Sequence, residues 1–190
     1  TPSEMAETAS MSMELMTSPY WDKFYNKDDH IRARREHLEG IITIFPWIAT
    51  IDAMQHWVYL NPKHTVEERD SYFVSLTKRF GSCVNWDGYE HYQRNGWQRQ
   101  GHIFGVPFYY IEYGIAQLGA LQVYRNFVKN NKIGLDDYIK GLKMGNSKPI
   151  PEVWENMGIK FDFSANTIKD LMDFVQEKLD ELDRDVYVVE

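Results

Sequence analysis

Apolar positions recur along this chain at helical spacing, and no stretch alternates as a half-buried strand would. The segment EMAETASMSMELM reads as a first helix, with Thr1 as its cap, Pro2 in the first turn and Ser18-Pro19 as its stop. Ala6, Ala9, Met13 and Met16 form its expected buried stripe, and Glu7, Ser10, Met11 and Glu14 share a neighbouring face. A short aromatic segment from Tyr20 to Lys27 comes next. A long helical pattern then runs from Asp28 to about Leu60, charged at first and apolar later, with Pro46 expected to kink or split it. Thr65-Val66-Glu67-Glu68 predicts a capping box and a helix ending near Gly81, and a short helix is expected at Tyr89 to Arg94.

The central stretch is GHIFGVPFYYIEYGIAQLGALQVYRNFVKN, from Gly101 to Asn130. Pro107 suits a first helical turn. The segment beyond it is apolar nearly all round, which predicts a buried helix. Tyr109, Tyr110, Tyr113, Glu112, Gln117 and Gln122 interrupt it, and buried polar groups need partners. Further helices are expected at Leu135 to Met144 and in EVWENMG. The last starts at Ser164 with Ile168, Leu171, Met172, Val175 and Leu179 on its apolar face. Asp183 to Glu190 reads as a tail. The expected fold class is all-α, with residues 1–182 as one multi-helical domain.

Composition narrows the function. At 190 residues one compact domain with a sizeable core is expected. A net charge of −7 lacks the basic footprint of a nucleic-acid binder. No apolar run is long and charge-free enough for a bilayer span, and no signal peptide is visible, so no membrane partner is expected. Cys83 stands alone and cannot form an internal disulfide, which fits a reducing, cytoplasmic setting. The chain opens at Thr1 inside a helical pattern, as a cut would leave it.

The chemistry-bearing residues are few. Glu7 and Glu14 lie two helical turns apart, roughly 10 Å along the axis, too far to share a ligand directly; on residues alone a solvated face is the plainer reading. His30 and His37 read as surface, and His56, His64 and His91 as structural. The sequence contains no HExxH, no nucleophile elbow, no P-loop and no paired cysteines. His102, Tyr110 and Tyr113 are different. A histidine before a helix and phenols at i and i+3 are donors able to stabilise a developing oxyanion, and equally able to serve neighbouring backbone groups.

SEMAETASMSMELM, IITIFPWIATIDAMQHWVY and GHIFGVPFYYIEYGIAQLGALQVYRNF together resemble the C-terminal catalytic part of the oligoendopeptidase F family, peptidases of family M3 related to thimet oligopeptidase. DYIKGLKMGNSKPIPEVWENMGIKFDFS is similar to that family's C-terminal region. The resemblance implies the C-terminal half of an all-helical zincin catalytic domain. It also implies Zn2+ as cofactor and hydrolysis of short peptides by a metal-activated water. By resemblance Glu7 is the third zinc ligand and Glu14 a supporting carboxylate on the same helix. His102, Tyr110 and Tyr113 then contact substrate and stabilise the tetrahedral intermediate, with Tyr109 as the alternative to Tyr110. The Gly-containing loop before the Tyr pair is expected to move on closure.

The sequence departs from the family in lacking the HExxH segment, which supplies two His ligands and the general base. The chain alone is therefore expected to be inactive and to bind zinc weakly or not at all. Its expected partners are short peptides and the missing N-terminal part of the same enzyme, and an exposed cut surface would invite dimerisation. Two alternatives stand beside this reading: a metal-free helical peptide-binding module, and another helical gluzincin such as a carboxypeptidase.

Overall fold

The computed structural model describes the backbone of residues 3–81 and 84–187, with side chains over 4–81 and 84–182. Thr1, Pro2, Ser82, Cys83 and Val188–Glu190 lie outside the described residues, so the expected Thr1 cap and the thiol do too. Among the described residues the structure is all helical: α1 Ser3–Thr17, α2 Lys27–Leu60, α3 Val66–Phe80, α4 Glu90–Asn95, α5 His102–Gly105, α6 Ile111–Lys129, α7 Asn131–Leu142, α8 Ile150–Asn156 and α9 Ala165–Tyr187. Short 3-10 turns occupy Ser18–Lys23 and Gly96–Arg99. The all-α expectation holds. The last helix continues through Tyr187, into the segment read as a tail.

Two compact units divide the chain, Thr1–Ile42 with Ile115–Glu190 and Thr43–Gly114. One boundary falls inside α2 and the other inside α6. Pro46 does not split α2, which is one helix from Lys27 to Leu60. Proline removes the N–H that the carbonyl of Ile42 would otherwise receive, and the boundary between Ile42 and Thr43 sits at that carbonyl. Downstream, the Thr50 hydroxyl donates back to the Pro46 carbonyl at 2.8 Å.

In the first unit, α1 buries Met16 of the stripe expected from its apolar letters, leaves Ala9 half-buried, and exposes the rest. Met5, Thr8, Ser12, Leu15 and Met16 are buried, whereas Met13 and Ala6 are exposed. The reason is local hydrogen bonding. Thr8 Oγ1 donates to the Glu4 carbonyl at 2.6 Å and Ser12 Oγ to the Thr8 carbonyl at 2.6 Å. With their hydroxyls satisfied inside the helix, both residues pack as small side chains.

Opposite Thr8 lies Gly119 of α6, where an added Cβ would stand 3.1 Å from Thr8 Cγ2 and 2.6 Å from Trp154 Cζ2. Gln122 answers the need for partners on the buried helix. Its amide donates to the Lys160 carbonyl at 3.0 Å and accepts from the Lys160 N–H at 2.9 Å, tying the segment after α8 to α6. Ser164 caps α9 as expected, with its hydroxyl accepting from the Thr167 N–H at 3.3 Å.

The second unit packs Met54, Phe73, Leu76 and Trp97 into one cluster and Ile48, Ile51 and Tyr110 into another. Trp47 and Ile103 touch both. The predicted capping box is present: Thr65 accepts from the Glu68 N–H, and the Glu68 carboxylate accepts from the Thr65 N–H.

Candidate active site

Pro107 does not open the central helix. The chain makes a single turn, α5, from His102 to Gly105, then bends through Val106–Tyr110 before α6 begins at Ile111. Phe108 adopts φ 62°, a left-handed backbone that an aromatic residue rarely takes and that costs about 1–3 kcal/mol.

Two contacts hold Phe108 there. Gln55, fully buried on α2, accepts the Phe108 N–H on Oε1 at 3.2 Å. The Phe108 ring lies against His56 and Tyr59 of α2, with ring centroids 5.0 and 4.9 Å apart. This hold on Phe108 decides where the next residues, Tyr109 and Tyr110, project. Tyr110 and Tyr113 therefore do not share one helical face by periodicity. The bend sets the first and the opening turn of α6 the second.

The bend brings four predicted residues together. His102 lies with its ring stacked on Tyr109 (6.0 Å, 20° between planes) and edge-on to Tyr110 (5.0 Å, 62°) and Tyr113 (5.6 Å, 86°). His102 Nε2 is 3.2 Å from the Tyr113 hydroxyl. Tyr110 is buried at 8% exposure, and Tyr109, Tyr113 and His102 are half-buried. Burial pushes the Tyr110 phenol above its usual range, the Trp47 indole opposing this by hydrogen bonding. Gln100 completes the cluster and is invisible in the sequence pattern. Its amide contacts both Trp47 Nε1, at 3.0 Å, and His102 Nδ1, at 2.5 Å.

Glu7 and Glu14 lie on α1, in the other unit. Glu7 is half-buried, with the Ser10 hydroxyl 3.4 Å from its Oε2. Glu14 is exposed and pairs with His37 of α2, Oε2 to Nε2 at 3.5 Å. His37 is thus not the surface residue expected: its side chain is 21% exposed and packs on Trp21. Burial lowers its imidazole below the ordinary value, while the charge and hydrogen bond of Glu14 pull it back up.

The sign of the effect on stability is set by proton uptake. Between the lowered folded value and 6.5 the unfolded chain binds more protons at this site. Stability from a neutral His37 is therefore complete above about pH 6.5 and is lost as the pH falls toward the folded value. Urea midpoints across a pH series should decline on acidification, and His37→Gln should flatten that decline; an unchanged slope in the variant would remove His37 as the cause.

Among the described residues no group of three or more His, Cys, Asp or Glu side chains is placed to hold a metal ion. A catalytic zinc takes three protein ligands and an open position, and the described residues do not bring three such side chains together. No helix among the described residues is long and apolar enough to cross a membrane.

Comparison with known proteins gives this arrangement a family. No curated protein matches the chain significantly. Solved structures do. A PZ peptidase A with an inhibitor superposes with a TM-score of 0.87 at 31% identity, over 96% of this chain and 32% of that one. A structure described as an oligoendopeptidase F gives 0.84 at 28% identity, over 97% of this chain and 33% of that one. A Bacillus anthracis structure described in the same way gives 0.76 at 27%, over 96% and 29%. The chain thus spans about a third of the length of these structures. The profile of peptidase family M3 matches residues 1–173, and with it the cluster of His102, Tyr109, Tyr110 and Tyr113 lies inside the matched region. The chain belongs to peptidase family M3.

Proposed function

We propose that this chain forms part of a zinc-dependent oligoendopeptidase, bringing the donors that hold a short peptide and stabilise its tetrahedral intermediate. The observation that carries the reading is the convergence of one imidazole and three phenols at the bend before α6. His102 Nε2 and the Tyr113 hydroxyl, 3.2 Å apart, are the proposed pair that serves the developing oxyanion. Tyr110, a phenol protonated at neutral pH, is a further donor, and Tyr109 gives the flat face on which His102 rests.

Glu7 is the proposed carboxylate ligand to the metal, and Glu14 supports the same helix face through His37. One carboxylate does not make a catalytic zinc site. When bound, zinc would supply activation of the attacking water. Its remaining ligands and the general base are assigned to a separate HExxH-bearing segment, absent from this sequence.

The test uses the purified chain, a blocked short peptide carrying an internal fluorescence quencher, and a segment containing HExxH supplied in trans. The chain alone should retain substoichiometric zinc after dialysis and leave the peptide intact; the combination should bind zinc and cleave internally. Tight stoichiometric zinc with cleavage by the isolated chain would contradict the proposed division. Failure of every HExxH-bearing segment to restore cleavage would leave the chain a peptide binder.

A further inference from the structure

Gln100 stands two residues before His102, and its side-chain amide lies between the imidazole and Trp47. The contacts form one line. Trp47 Nε1 is 3.0 Å from Gln100 Oε1, Gln100 Nε2 is 2.5 Å from His102 Nδ1, and His102 Nε2 is 3.2 Å from the Tyr113 hydroxyl. Donor and acceptor chemistry leaves this line one consistent reading. An indole nitrogen only donates, so the carboxamide oxygen must face Trp47. The opposite orientation would set two donors 3.0 Å apart in a half-buried place. The carboxamide NH2 group then faces His102, and since it too only donates, Nδ1 must be the acceptor. A neutral imidazole whose Nδ1 accepts carries its proton on Nε2. That N–H donates to the Tyr113 oxygen.

We infer that Gln100 is a positioning residue that locks the neutral His102 in the Nε2–H tautomer and aims that N–H at Tyr113. Trp47 is the anchor of the lock. The Arg99 guanidinium lies over its ring at 4.5 Å, Phe73 meets it edge-on at 6.3 Å, and it packs on both apolar clusters of its unit. The amide orientation is therefore set from the core outward, before any ligand arrives. The consequence for catalysis rests on the reading given above, in which His102 and Tyr113 serve the oxyanion as a pair: with the His102 N–H on the Tyr113 oxygen, the phenol O–H is left to donate to the oxyanion. The wrong tautomer would make Nε2 an acceptor for the Tyr113 O–H and so withdraw that donor from the oxyanion.

The lock itself can be tested on this chain without any activity. Long-range proton–nitrogen spectra of the 15N-labelled imidazole, recorded where His102 is neutral, should show one tautomer with a bare Nδ1. Gln100→Glu replaces the donor with a carboxylate, and should move the proton to Nδ1. Gln100→Met removes the partner, and Trp47→Phe frees the amide to rotate; each should give a mixture of tautomers. A protonated Nδ1 in the unsubstituted chain would overturn the inference, and that spectrum needs no variant to fold. A tautomer unmoved by both Gln100→Glu and Gln100→Met would overturn it as well.

In the assembled peptidase, Gln100→Glu should lower kcat about 100-fold with little change in KM, the cost of losing one oxyanion donor. A tautomer that moves while kcat does not would confirm the lock and refute the catalytic role proposed for His102.

Discussion

Replacing Trp154 by alanine is expected to destabilise the unit formed by Thr1–Ile42 and Ile115–Glu190 by about 3–5 kcal/mol. Trp154 is fully buried and the largest side chain so placed. It fits against the bare backbone of Gly119, where even a methyl group would stand 2.6 Å from its ring. Phe161 and Phe163 meet it edge-on at 5.0 and 6.2 Å. A close fit on several sides leaves little room for collapse, so the cavity term adds to the lost transfer free energy. With a urea slope of roughly 1–3 kcal/mol per molar, the midpoint should fall by more than about 1 M.

Trp154→Phe is the informative companion. The buried indole Nε1 has no hydrogen-bond partner among the described residues, and such a group costs about 1–3 kcal/mol. Phenylalanine removes that cost while keeping much of the ring contact, so it should be far milder than alanine. Equal losses for the two variants would show that ring packing does not hold this core.

How much of the structure is legible in the sequence differs from element to element. Periodicity locates the long helices, because each buries a continuous face and apolar letters mark such faces well. The same letters misplace the buried stripe of α1, since its middle is Thr8 and Ser12. A hydroxyl that bonds its own helix buries as readily as a methyl, and the letter alone does not reveal the bond. Pro46 does not split α2, for the complementary reason: a missing N–H weakens a helix at one carbonyl, and long flanking turns can carry the helix through it.

At the site, the sequence singles out His102 and the three tyrosines because they are close together in the chain and match a family motif. What sets their geometry is farther away. Gln55 and Trp47 reach the loop from α2, over sequence separations of 53 residues in both cases. Glutamine and tryptophan at such spacing carry no local signature. Gln100, although near His102, shows its purpose only once Trp47 is seen on its other side.

In the assembled peptidase, Tyr113→Phe and His102→Ala should each reduce kcat about 100- to 1,000-fold, the range for losing one preorganised oxyanion donor. KM should change little for Tyr113→Phe, because the ring and its edge-on contact with His102 remain and only the hydroxyl is lost. The pair should not behave as two independent donors. His102 Nε2 and the Tyr113 hydroxyl are 3.2 Å apart, so removing either alters the other. Groups that act as a unit give a double variant little worse than the worse single one. The expected double-mutant cycle therefore shows a coupling close to the smaller single loss, about 2.7–4 kcal/mol, with a double loss well short of the product of the singles. Full multiplicativity would mean that the two groups reach the substrate separately. A near-normal kcat in both single variants would instead place the imidazole and the phenol in the scaffold, as partners to neighbouring backbone and ring groups, and leave the bend before α6 without its proposed chemistry.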